Sequence, residues 1–141
     1  MAYNDRWEVR KMCLSLFQQY GENGVLRLPK GEVCFAEAPW NKHPAFEGVE
    51  LKHLVTSAQT GGAFSYHLVR IAPGMRIGLH THAEQVETHE VIEGEGICVN
   101  GGTVIPYRPG VISIFAKDAP HEVQAGEKGL YLFAKFAPSL C

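Results

Sequence analysis

His80 and His82, separated by a single residue, with Glu87 five positions on and His121 further along, are the side chains of this sequence whose types and spacing best suit chemistry. All four can bind a metal ion. Alternate side chains on a β-strand share a face, so a strand through His80-Thr81-His82 presents both imidazoles to one side, their Cα atoms roughly 6–7 Å apart. On a helix, positions i and i+2 diverge and the pair makes no chelate. Two imidazoles and a carboxylate, with a third imidazole added, suit Fe(II), Mn(II), Ni(II) or Zn(II). An octahedral ion held by three or four protein ligands keeps positions for water, substrate or dioxygen. The expected cofactor is therefore one divalent transition metal, Fe, Mn, Ni or Zn.

The elements that must position these groups are strands. From Val25 onward, short apolar runs alternate with Gly and Pro every 8–12 residues or so, the pattern of an all-β sandwich or barrel. The expected strands cover residues 33–36, 49–56, 63–71, 76–82, 87–92, 96–99, 103–107, 111–115, 121–124 and 130–136, with a loop over 39–44. Asn100-Gly101-Gly102 is a hairpin signal, because Asn and Gly tolerate the positive φ of a tight turn. Before the strands, Asp5 and Glu8 resemble a capping box, and Val9, Met12, Cys13, Leu16 and Tyr20 follow helical spacing up to Gly21. This predicts an amphipathic helix over about 5–20. We expect residues 1–24 to pack that helix on the barrel or on a dimer partner, and residues 25–141 to form a single β-domain. No helical period returns later, which argues against a βαβ sheet.

The central segment reads Gly74, five residues, His80-Thr81-His82, four residues, Glu87, six residues, Gly94. This resembles the first motif of the cupin superfamily. A second motif, over 110–125, is recognisable from Gly110 to His121, with Ala116 where the family usually has Pro, Asp118 where it usually has Gly and Ala125 where it often has Asn. The resemblance covers roughly residues 60–136. It implies a small single-domain cupin of the type-2 kind: a double-stranded antiparallel β-barrel of the jelly-roll type, here with a short N-terminal helix. It also implies that His80, His82, Glu87 and His121 bind one divalent metal inside it. Glu84, in the turn after His82, is the fallback carboxylate. His89 shares strand parity with Glu87 and so faces the same way, while Glu90 faces the other. In many cupins this position is aromatic, and in some cupin lyases it is a Tyr thought to act as base. His89 is accordingly the candidate catalytic residue, with a fifth ligand or a hydrogen-bond partner behind a ligand as the other roles open to it.

The function implied is that of a metal-binding cupin, a small metalloenzyme of dioxygenase, isomerase, decarboxylase or lyase type acting on a small polar organic substrate. The alternative is a non-catalytic module that binds or senses a small ligand. The 141 residues suffice for one domain, and 45% hydrophobic content excludes a disordered chain. A formal charge of −2 offers nothing general to nucleic acid or an anionic membrane, and no apolar run nears the roughly 20 residues a helical span needs. The polar stretch 1–8 lacks the apolar centre of a signal peptide, so the cytoplasm is the expected compartment. Cys13, Cys34, Cys98 and Cys141, with no C-x-x-C, are expected to be free thiols, Cys141 exposed and with nothing to mark it as a nucleophile. His67 is expected in the barrel wall, His43 and His53 on the surface, and Arg70 and Arg76 in salt bridges. A homodimer is expected, since pairing covers exposed sheet edges.

Overall fold

The computed structural model describes residues 13–141, and strands account for most of them. By contact density the chain divides after Glu37. In the first unit, α1 (Leu16–Gln18) opens on a capping box: Ser15 Oγ accepts from the Gln18 N–H at 3.1 Å, and Gln18 Oε1 accepts from the Ser15 N–H at 3.0 Å. A π-helical turn, Gln19–Asn23, follows. These turns occupy the end of the helix expected over 5–20; residues 5–12 lie outside the described residues. Strands β1 (Val25–Leu28) and β2 (Gly31–Cys34) then form an antiparallel hairpin, on which Arg27 pairs with Glu32.

The second unit, Ala38–Cys141, is an antiparallel jelly roll. Its strands are β3 (Trp40–Lys42), β4 (Val49–Val55), β5 (Ser65–Ile71), β6 (Arg76–His80), β7 (Val86–Asn100), β8 (Thr103–Tyr107), β9 (Ile112–Phe115) and β10 (His121–Ala137). β7 and β10 are long and run through both layers. The first half of β7 pairs with β9 and its second half with β8. The first half of β10 pairs with β6 and its second half with β5, beyond which β4 and β3 continue the sheet. The path β3-β4-β5-β10-β7-β8 has free ends, so the sheet folds over itself and does not close into a barrel.

The two long strands bend where their antiparallel pairing is interrupted. Gly94 has φ 78°, and a Cβ there would lie 2.2 Å from the Gly129 carbonyl oxygen; the β7–β10 register shifts between Ala125 and Leu130. Only glycine allows backbones this close with positive φ. The expected breaks at 93–95 and 125–129 are therefore bends within continuous strands. Three further differences concern residues near the site. The expected loop over 39–44 contains β3, held by pairing with β4. Residues Ser57–Thr60 make one helical turn, α2, capped by Thr56 and Gln59. β6 stops at His80, so His82 follows the strand and is not on it.

The core lies between the layers, where Val69, Ile71, Val91, Phe115, Leu130 and Leu132 are each 2% exposed or less. The Asn100-Gly101-Gly102 expectation holds: Asn100 pairs with Thr103, and Gly101 and Gly102 have φ 56° and 87°. Asp118, standing where the resembled motif has Gly, takes φ 61°, and its N–H donates to the His82 carbonyl at 2.9 Å. Asp is among the few side-chain-bearing residues that tolerate this conformation, so the turn survives the replacement. Among the described residues, no helix is long and apolar enough to cross a membrane.

Candidate metal centre

β6, the loop after it, β7 and β10 bring four groups together. His80 ends β6 directly opposite His121 at the start of β10. Glu87 sits in the first half of β7 with its side chain turned inward, and it is 4% exposed. One ring nitrogen from each of His80, His82 and His121 and a carboxylate oxygen of Glu87 all lie within 4.8 Å of one another. Glu84 is exposed and stands outside this group.

Hydrogen bonds fix how the imidazoles point. His80 Nδ1 lies 2.7 Å from the Gly78 carbonyl and His121 Nδ1 lies 2.8 Å from the Ala119 carbonyl. A carbonyl only accepts, so both Nδ1 atoms carry the proton and both Nε2 atoms are left for the centre. This is how metal-ligating histidines are ordinarily oriented. His121 Nε2 donates to Glu87 Oε1 at 2.9 Å, and His82 Nε2 approaches the same oxygen at 3.7 Å. The proton that His121 lends to Glu87 is the one a cation between them would displace.

Charge follows from this packing. Burial alone would raise the Glu87 carboxyl, but hydrogen bonds from His121 and His89 outweigh it and hold the group well below the usual carboxylate range. Burial pulls His80 and His82 down, towards the neutral form that binds metals. For His121 burial acts the same way, but the bonds to Glu87 and to the Ala119 carbonyl prevail and push it up. The donor set of three imidazoles and one ionised carboxylate, at one point and with oriented nitrogens, is compatible with a divalent metal.

His89 faces inward beside Glu87 and is 2% exposed. Its Nε2 lies 3.0 Å from Glu87 Oε2, and its Nδ1 lies 3.0 Å from the Tyr107 hydroxyl. The carboxylate accepts, so Nε2 donates and Nδ1 accepts from Tyr107. Both nitrogens are engaged. Burial pushes the Tyr107 hydroxyl up, with the neighbouring Cys98 and the charge of Glu87 adding to it, so it stays a donor.

The cluster opens on a cavity of about 260 Å³, whose apolar wall includes Val69, Ile77, Leu132 and Phe136 and whose polar edge includes Lys42, His43 and His53. Sequence reasoning placed His43 and His53 on the surface; both are half-buried and line this cavity. His53 pairs directly with inward-facing His67, a pairing that only the folded sheet reveals. Arg70, by contrast, is in the expected ion pair, 3.2 Å from Glu50 and stacked over the Trp40 ring.

With this geometry in hand, comparison with known proteins places the domain. The Cupin domain family model matches residues 67–133. Residues 67–133 thus match a cupin domain, and the jelly-roll fold agrees with cupin-type structures. The chain is 26% identical over 77 residues to an oxalate-binding protein of Thermotoga maritima, a match that takes in 54% of this chain and 64% of that protein. The chain thus spans less than two thirds of that relative. A crystal structure of a predicted oxalate decarboxylase from Thermotoga maritima superposes with a TM-score of 0.65, at 23% identity, covering 73% of this chain and 95% of that one. An ectoine synthase from P. lautus superposes with a TM-score of 0.60, at 26% identity, over 66% of each chain.

Proposed function

We propose that this chain binds one divalent transition metal through His80, His82, Glu87 and His121, and that it acts as a small metalloenzyme on a carboxylate-bearing molecule of few atoms. The observation that carries this reading is the convergence of three imidazoles and an ionised carboxylate at the wall of a cavity. At about 260 Å³ that cavity falls below the roughly 300–1,000 Å³ typical of sites for drug-sized ligands, so a compact substrate is favoured. The names carried by the Thermotoga maritima protein and structure, oxalate-binding and predicted oxalate decarboxylase, support a small dicarboxylate.

A divalent ion held there supplies Lewis-acid polarisation of a bound carboxylate or carbonyl. The remaining work falls to the chain. Glu87 offsets part of the positive charge, and His89, backed by Tyr107, holds its second oxygen in place. With both nitrogens so used, His89 serves as a positioning residue rather than as a general base. His43 Nδ1 accepts the Ala45 N–H at 3.1 Å, which leaves Nε2–H to donate to a substrate oxygen. The apolar wall excludes water and strengthens each of these contacts.

A second reading, capture of the acid without turnover, is favoured by the oxalate-binding name of the relative. Calorimetric titration of the metal-loaded protein with oxalate and other short mono- and dicarboxylates, followed by product analysis, tests both. Binding that His82→Ala abolishes supports the site, and product formation then supports the enzyme over the binding module. No heat with any small carboxylate on the metal-loaded protein would overturn the ligand class. We also propose a homodimer: Val104, Ile112 and Ile114 on β8 and β9 point outward and are each more than 60% exposed, a cost that a second copy relieves.

A further inference from the structure

A second group of metal-binding side chains lies outside the His–Glu cluster. His53 on β4 and His67 on β5 are directly opposed across the antiparallel pair. One ring nitrogen from each and the Cys141 Sγ lie within 4.8 Å of one another. The Phe136 ring stands against both groups, with its centroid 5.6 Å from that of His67 and 5.1 Å from that of His82. The two clusters use different side chains, but they share this wall and the cavity that His53 lines together with His80, His82 and Glu87.

The thiol is held in place by its backbone. The Cys141 carbonyl accepts from the Ser57 N–H at 2.7 Å and from Ser57 Oγ at 3.0 Å. One residue earlier, the Leu140 N–H donates to Ser65 Oγ at 2.8 Å, and the Ser139 N–H donates to the Gly62 carbonyl at 3.0 Å. This strap runs over α2 and sets Cys141 beside the histidine pair. Cys141 itself is exposed, which gives an ion a path from solvent.

The histidine pair is arranged as ligands are. The two Nδ1 atoms face each other at 2.7 Å, a separation that needs either a proton or a cation between them. His67 Nε2 lies 2.8 Å from Ser65 Oγ. With its proton there, His67 donates to Ser65 and leaves Nδ1 bare, the oriented tautomer of a ligand imidazole. His67 is fully buried, and burial with the neighbouring His53 pulls it down to about 4, so both the geometry and the charge state favour a neutral ring.

We propose that His53 Nδ1, His67 Nδ1 and Cys141 Sγ form a second metal site, for zinc or another thiolate-seeking cation, with water completing the coordination. Ligands about 2.0–2.3 Å from a shared tetrahedral zinc stand roughly 3.3–3.7 Å apart, so the nitrogens must part slightly and the sulfur close in. Both changes call for rotation of the side chains. Uptake involves no redox change: the thiol loses its proton to solvent as the metal–sulfur bond forms, and the proton between the imidazoles moves to His53 Nε2 through solvent. Softness separates the two sites, since the His–Glu cluster contains no sulfur.

The test is titration of the full chain, reduced and freed of metal, with Co²⁺ as the spectroscopic probe and Zn²⁺ as competitor. We expect a near-ultraviolet sulfur-to-cobalt charge-transfer band that Zn²⁺ removes. It should be absent in Cys141→Ser, retained in His80→Ala/His82→Ala, and formed at roughly 10–100-fold higher Co²⁺ in Ser65→Ala, which removes the hydroxyl behind His67. Absence of the band in the unmodified protein, or its persistence in Cys141→Ser, would overturn the site. Loss of the His–Glu cluster's own metal would leave this band unchanged, so the two assignments fail separately.

Discussion

Replacing His89 with Phe separates two roles that this residue could have beside a metal. Phe keeps a ring against Phe115, 4.6 Å away by centroid, and removes both nitrogens. What is lost is the bond from Nε2 to Glu87 Oε2 and the acceptor for the Tyr107 hydroxyl, each 3.0 Å long. A hydrogen bond to a charged group contributes about 1.5–3 kcal/mol, and Glu87, 4% exposed, has little water to replace it. Freed on one side, the carboxylate turns from its position, and loss of such a supporting partner typically weakens metal binding by about 10–100-fold, or about 1.4–2.8 kcal/mol. Chelator competition on the unmodified and His89→Phe proteins measures the affinity, and urea unfolding of the metal-free forms measures the stability. We expect both to fall by amounts in these ranges. Affinity within roughly twofold of the original, together with lost turnover, would refute the positioning role and return His89 to acid–base chemistry.

Three further outcomes follow from the same geometry. The His67 value lies below the 6.5 of an unfolded histidine, at about 4, so the unfolded chain takes up the proton first as pH falls. The stability involved is fully present above 6.5 and is lost progressively down to about 4, an amount of about 3 kcal/mol; in chelator-treated protein, urea unfolding should show a shallower acid slope for His67→Gln, and an equal slope would contradict this. Gly94→Ala places a Cβ 2.2 Å from the Gly129 carbonyl oxygen at φ 78°, so the melting temperature should drop by several degrees or more, and an unchanged melt would show that the β7–β10 bend is looser than described. Light scattering should give a dimer mass that Ile112→Asp/Ile114→Asp converts to a monomer, while a monomer mass for the unmodified chain would refute the pairing proposed for β8 and β9.

The parts of this fold legible in the sequence were those that depend on neighbours along the chain. Alternation along residues 65–71 gave β5, and Asn100-Gly101-Gly102 gave the β7–β8 turn, because strand faces and tight turns are local properties. Parity also placed His89 beside Glu87. What was not legible depended on distant pairing. Gly94-Glu95-Gly96 reads as a turn until Gly129 is found pressed against it, when it becomes a bend in one long strand. Trp40–Lys42 has Pro39 and Pro44 around it and becomes a strand only by pairing with β4. The His53, His67 and Cys141 group joins residues far apart in sequence, one of them carried in by the strap over α2, and no spacing rule announces it.

The central claim is that His80, His82, Glu87 and His121 hold one metal ion. Elemental analysis of Cys141→Ser protein, purified without added metal or chelator and again after reconstitution with manganese, iron or zinc, tests it most directly. That background silences the thiolate site, so the His–Glu cluster alone is counted. We expect about one equivalent, lost when His80→Ala/His82→Ala is added. No uptake of any of the three metals, or equal uptake with and without those histidines, would contradict the account.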